Sequence, residues 1–157
     1  MKVIDNFLPQ YQFKQLQSVM MADDFPWYFN ESICHPDDGL FQFTHGIFDV
    51  DGRVTYFWPF IDSFTDLLKV NKWIRIKANL QTITMFHRNG GYHYYVADVT
   101  TAVYYVNTNN GYTKFKKSGK VVESVANRIV IFDSNLKHSG FSCTDEKRRM
   151  VVNFNWE

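Results

Sequence analysis

Five histidines occur in the 157-residue chain, and two of them stand where a β-rich domain could use them as metal ligands. His93 lies in GGYHYYVAD, ahead of the run TTAVYYVN. His138 lies in DSNLKHSG, behind the run RIVIFD and 45 positions further on. In a barrel of short antiparallel strands, two such strand-end positions can face each other across the mouth. Neutral imidazoles presented that way suit a divalent iron, zinc or copper ion. Arg149 follows His138 by 11 positions, at the head of the last apolar run. A guanidinium pointing into a barrel is costly unless an anion neutralises it. A dicarboxylate supplies that anion through paired hydrogen bonds. His87, in FHRNGGYH, is the rival to His93, at the cost of a longer approach to the next strand. His35 and His45 read as surface or half-buried polar residues.

These side chains need strands to hold them, and the chain supplies strand patterns in number. Segment 73–81 alternates, with Ile74, Ile76, Ala78 and Leu80 on one face and Arg75, Lys77, Asn79 and Gln81 on the other. Residues 2–5, 100–107, 127–134 and 149–156 read as further strands, rich in β-branched and aromatic residues. The Asn-Gly pair in NTNNGY predicts a tight hairpin, and KSGK at 117–120 predicts another turn. Two helices precede most of these. Pro9 opens residues 10–21, where Phe13, Leu16, Val19 and Met20 recur at helical spacing. Ile61, Phe64, Leu67 and Leu68 form one stripe of a helix over 58–71. The expected fold is mainly β, of the α+β kind: a sandwich or jelly roll with two helices packed outside. With no linker and no repeat, residues 1–157 read as a single domain.

Composition narrows the function classes. Seventeen Lys and Arg balance sixteen Asp and Glu, for a net charge of +1. That is too little basic excess for a protein built to hold nucleic acid. Phe, Tyr and Trp make up 18%, which is the filling of a β-sandwich core. No apolar run approaches the ~18–20 residues that span a bilayer, and the N-terminus lacks the apolar core of a secretion signal. Cys34 and Cys143 are the only cysteines and read as free thiols of a reducing compartment, so a cytoplasmic location is expected. DVDG at 49–52 resembles part of a calcium loop but lacks its distal Glu, and reads as a turn.

The run from His93 through TTAVYYVNTNNGYTKF, ANRIVIFDSNLKHSG and RRMVVNFNW resembles the iron(II)/2-oxoglutarate-dependent oxygenases. It is most similar to their prolyl-4-hydroxylase-like branch, which includes small bacterial and phage proteins. VIDNFLP, FPWYFNES and IRIKANL extend the likeness over nearly the whole chain. The resemblance implies a double-stranded β-helix and two cofactors, Fe(II) and 2-oxoglutarate. It implies that His93 is the proximal and His138 the distal iron ligand. It further implies that Arg149 anchors the far carboxylate of 2-oxoglutarate, helped by the Tyr105 hydroxyl. Arg148 competes with Arg149, since alternation lets only one point inward. Asn79, Gln81 and Tyr92 are candidate pocket residues, with solvent exposure the alternative for the first two. Loops 24–57 and 87–99 would select the substrate, for which the resemblance suggests an amino-acyl residue of a peptide or protein.

The family triad reads His-x-Asp, and here it reads His93-Tyr94-Tyr95. A phenol with pKa near ~10 is a poor ligand for iron(II) at neutral pH. Four readings follow. Asp98, five positions after His93, supplies the carboxylate; two imidazoles and 2-oxoglutarate hold the iron alone; the site is weakened or inactive and still binds a ligand; or Tyr95 binds another metal. The expected function is therefore a hydroxylase-like dioxygenase with an incomplete triad. Two rival classes are an inactive jelly-roll binding module and a zinc or copper cupin-like protein that does not use 2-oxoglutarate.

Overall fold

The computed structural model describes residues 1–49, 52, 55, 58–94 and 99–157, with only the backbone of residues 58 and 59. Ten strands and two helices occur among them, in the order β1 (Lys2–Ile4), α1 (Gln10–Met21), β2 (Tyr28–Asn30), β3 (Gln42–Phe48), α2 (Trp58–Leu68), β4 (Trp73–Thr82), β5 (Thr100–Tyr105), β6 (Tyr112–Phe115), β7 (Val121–Glu123), β8 (Arg128–Asp133), β9 (His138–Phe141) and β10 (Arg148–Trp156). They form an antiparallel seven-stranded sheet, β1-β8-β5-β10-β4-β3-β2, and a smaller sheet, β7-β6-β9. Residues 89 and 93 meet the free edge of β9 through the bridges Asn89–Phe141 and His93–His138. The two sheets enclose a layer of Val103, Tyr105, Phe115, Val122, Val130, Phe132 and Val151. This is the jelly roll that the strand patterns predict.

Strand alternation gives the large sheet two unlike faces. In β10, Met150, Val152, Phe154 and Trp156 turn outward and join Ile76 and Ala78 of β4, Tyr104 of β5 and Ile129 of β8. The helices cover that face. Phe13, Leu16 and Met20 of α1 and Ile61 and Phe64 of α2 are all buried in the same core. Phe64 meets Tyr104 edge-on at 5.0 Å and Phe154 at 4.6 Å between ring centroids. Truncating such a ring to Ala costs about 3–5 kcal/mol. Asn127 ties the N-terminal arm to this core. Its side-chain oxygen accepts from the Leu8 N–H and the Tyr104 hydroxyl, both at 2.9 Å, and its amide nitrogen donates to the Leu8 carbonyl at 2.9 Å. No helix among the described residues is long and apolar enough to cross a membrane.

Three local expectations need correction. The helix expected over 58–71 ends at Leu68, because Lys69 takes a left-handed φ of 54°. The Val70 N–H then reaches back to the Thr65 carbonyl and the Lys69 N–H to the Asp66 carbonyl, which closes the last turn. The strand expected over 100–107 stops at Tyr105. The Asn110-Gly111 pair makes no hairpin: β5 lies in the large sheet and β6 in the small one, so NTNNGY crosses between layers. Asn109 holds that crossing by accepting the Gly111 N–H at 2.9 Å. The true hairpin is at KSGK, where Gly119 has φ 70° between β6 and β7. Asp49 and Gly52 close a turn through a 2.8 Å backbone bond, while Val50 and Asp51 of DVDG lie outside the described residues.

Candidate active site

His93 and His138 come together as the sequence spacing anticipates. Each donates its backbone N–H to the other's carbonyl at 3.0 Å, and the ring centroids are 4.7 Å apart. Nδ1 of His93 lies 3.1 Å from the Gly91 carbonyl, and Nδ1 of His138 lies 2.9 Å from the Leu136 carbonyl. A carbonyl can only accept, so both Nδ1 atoms carry the proton and both Nε2 atoms carry the basic lone pair. That tautomer is the one a metal-binding imidazole adopts. Burial pushes both rings toward the neutral form, His138 to about 4. Phe132 stands edge-on to His138 at 4.7 Å and supplies much of that apolar wall.

Arg149 is 3% exposed and enters the space between the sheets. Its Nε donates to the Ser124 hydroxyl at 3.0 Å and a terminal nitrogen donates to the Thr113 hydroxyl at 3.2 Å. Its guanidinium carbon lies 5.7 Å from the centre of the Tyr105 ring. Among the described residues the ion pairs are Lys72–Glu157 and Arg128–Asp5, and none involves Arg149. Burial therefore works against its charge. Arg148 turns the other way and donates to the Met21 carbonyl at 3.0 Å.

A cavity of about 600 Å³, its open mouth included, joins the two groups. His93, His138 and Arg149 line it together with Asn79 and Gln81. Those two amides are buried, 6% and 9% exposed, so the polar face of β4 meets the cavity and not solvent. The Gln81 side-chain oxygen is buried with no hydrogen-bond partner among the described residues. Tyr105 and Tyr92 do not line the cavity. The Tyr105 hydroxyl is spent behind Arg149, donating to Thr113 at 2.8 Å, and the Tyr92 ring lies under the Lys116 ammonium at 5.6 Å. Tyr95 and Asp98, the candidates for a third ligand, lie outside the described residues.

The other histidines sit elsewhere. His87 is exposed against Tyr112, its Nδ1 at 2.7 Å from the Ser142 carbonyl. His35 is exposed beside the Cys34 thiol. His45 departs from the surface reading: it is 3% exposed, bonded to the Pro26 carbonyl and the Thr55 hydroxyl. Both cysteines are free.

Several wall residues escaped sequence reasoning. Lys77 lines the cavity on the same face of β4 as Asn79 and Gln81, and burial, then the neighbouring Arg75 charge, pull its ammonium down to about 8. The alternation of β4 already placed it there. Thr113 of the wall, and Ser124 behind it, hold Arg149 from the small-sheet segment, where KSGK announces the turn but the short strands carry little pattern. Ile33 and Gln42 enter from the N-terminal third, where β2 and β3 extend the large sheet.

No protein-family model matches the chain, and no curated protein matches it by sequence. Solved structures do match in three dimensions. An oxidoreductase of the 2OG-Fe(II) oxygenase family from Burkholderia pseudomallei superposes with a TM-score of 0.72 at 10% identity, over 98% of this chain and 84% of that one. The fold is that of the 2OG-Fe(II) oxygenases. A Trichoplax adhaerens prolyl hydroxylase, solved with a hypoxia inducible factor peptide fragment, matches at TM-score 0.63 and 12% identity over 99% and 82%. HygX from Streptomyces hygroscopicus, solved with nickel and 2-oxoglutarate, matches at TM-score 0.64 and 10% identity over 98% and 81%.

Proposed function

We propose that the cavity binds 2-oxoglutarate and a divalent metal, Fe(II) for turnover, and that the chain is a 2-oxoglutarate-dependent dioxygenase of the hydroxylase kind. The observation that carries the reading is the buried Arg149 guanidinium, aimed into a cavity whose other end holds two imidazoles in the metal-binding tautomer. A fully buried cation with no carboxylate beside it among the described residues is a site made for an anion. The donors fit a metal through two nitrogens. Among the described residues no group of three His, Cys, Asp or Glu side chains forms, so the further ligands would be 2-oxoglutarate itself or a residue of 95–98.

His93 and His138 would hold Fe(II), which supplies with 2-oxoglutarate and oxygen the oxidising power to hydroxylate a C–H bond. Arg149 would take the far carboxylate of 2-oxoglutarate, its fork fixed by Ser124 and Thr113. Tyr105 would act through Arg149, since its ring flanks the guanidinium and its hydroxyl orients Thr113. Val103 and Val151 add apolar surface to the cavity wall. Asn79 and Gln81 would orient the co-substrate or substrate through their amides. The peptide of the Trichoplax structure makes an amino-acyl residue a reasonable substrate class here, presented from the cytoplasm.

Anaerobic titration with iron(II) and 2-oxoglutarate tests the reading through the visible charge-transfer band. A band in the parent that vanishes in Arg149→Ala supports it, and succinate release with candidate peptides follows. Binding of 2-oxoglutarate without a band, restored by Tyr95→Asp, means a binding module whose chemistry is switched off at one residue. Zinc or copper binding indifferent to Arg149→Ala means a cupin-like metalloprotein instead.

A further inference from the structure

Arg149 accounts for one anion, yet the cavity holds a second cation. Lys77 lies on β4 opposite Asn153 of β10 and Gly46 of β3, and its side chain reaches the wall that His93 shares. It is close enough for its charge to bear on the His93 ring. Among the described residues no carboxylate pairs with it, and Arg75 adds positive charge from the same face. An apolar side chain of similar length would fill this place with no ammonium to desolvate. The far carboxylate of 2-oxoglutarate does not satisfy Lys77, because Arg149 takes it on the proposed reading and 2-oxoglutarate's other end would be turned to the metal.

We propose that Lys77 is a second anion post, at the histidine end of the cavity, and that the substrate carries a carboxylate that pairs with it. This rests on the oxygenase reading for the word substrate, but the anion post itself does not need a metal. The ammonium fixes the acid group, and the carbon to be oxidised is then held close to His93 and His138. The acid is either free or the side chain of Asp or Glu in a peptide.

Acetate is the probe, followed by NMR of the backbone amides in the full chain. Two acetate sites are expected. One perturbs Ala78 and Gly46 and is lost in Lys77→Met; the other perturbs Gly140 and is lost in Arg149→Met. Lys77→Arg, which keeps the charge, should retain the first site and guards against a folding artefact. A loss of at least tenfold in acetate affinity at the first site, with the second unchanged, supports the proposal. A single site at Arg149, or a first site that survives Lys77→Met, overturns it. Failure of the Arg149 site alone would sink the oxygenase reading and leave the Lys77 post standing. Free aspartate and N-acetyl-aspartate methylamide, titrated in turn, separate a free acid from a peptide side chain.

Discussion

Replacing Arg149 by Met separates a ligand-binding cation from a structural one. The guanidinium is fully buried, and among the described residues its side-chain hydrogen bonds go to two hydroxyls, at 3.0 Å and 3.2 Å. Two charge-assisted bonds to a ligand carboxylate are worth about 1.5–3 kcal/mol each. Losing both should weaken 2-oxoglutarate binding by about 3–6 kcal/mol, or roughly two to four powers of ten. Stability should move differently. The variant gives up the bonds to Ser124 and Thr113, but it also removes a buried charge whose desolvation costs several kcal/mol. Met covers much of the same stem volume, and Thr113 keeps its bond from Tyr105. The ligand-free variant should thus be as stable as the parent or more so. Urea unfolding with and without 2-oxoglutarate measures both quantities. At a concentration of ~100 Kd of the parent the ligand should add about 2.7 kcal/mol to the parent, which is about 5–10 °C in Tm at this size, and at most about 0.4 kcal/mol to the variant. The reasoning is refuted if Arg149→Met binds 2-oxoglutarate within about threefold of the parent. It is equally refuted if the ligand-free variant loses more than about 3 kcal/mol.

Two further outcomes follow from the walls of the cavity. A methyl added at Gly111 would stand 2.6 Å from Cδ of Arg149 and 2.8 Å from the Phe141 carbonyl oxygen. Gly111→Ala should therefore push the guanidinium off Thr113, cost about 1–3 kcal/mol in urea unfolding and weaken 2-oxoglutarate binding, both measurable on one titration series. Behind Ile33 of the cavity wall, Asp38 accepts the backbone N–H groups of Cys34, Ile33, Leu40 and His35 at 2.9, 3.0, 2.9 and 3.3 Å. These bonds, that from Cys34 foremost, hold its carboxyl at about 2, below the ordinary 3.8. A carboxyl depressed in the folded state stabilises the loop fully above pH ~3.8 and loses that contribution as pH falls through ~2. Amide exchange at Ile33 and Leu40 should accelerate over that window, and in Asp38→Asn it should already be fast at neutral pH.

Much of the fold was legible because β4 alternates, because β8 and β10 are rich in β-branched and aromatic residues, and because the two helices carry one apolar stripe each. The site was legible in part, for the same reason. His138 and Arg149 fall next to strand runs, so their strand-end positions could be counted. Asn79 and Gln81 were placed on the correct face, but a polar strand face says nothing by itself about what lies across from it. Only the small sheet, whose strands of three and four residues carry little pattern, turns that face into a wall. The Asn-Gly signal misled because Asn109, not a positive φ at Gly111, closes the turn. Tyr105 misled in another way: it lies beside the anchor, with its hydroxyl already taken by Thr113.

The two faces of the large sheet also explain how so polar an interior is tolerated. On the inner face β10 presents Arg149, Asn153 and Asn155, and β4 presents Lys77, Asn79 and Gln81. Each is a group that costs free energy to bury unless it is bonded. On the outer face the same two strands present Met150, Val152, Phe154, Ile76 and Ala78, every one buried under the helices. Because the side-chain period is two residues, the polar wall and the apolar core are built from one stretch of chain and cannot be displaced separately. A one-residue slip of β10 would drive Arg149 into the helix-covered core. The register that buries Phe154 is thus also what points the guanidinium at the cavity, and the core's stability offsets the cost of a preorganised, charged site.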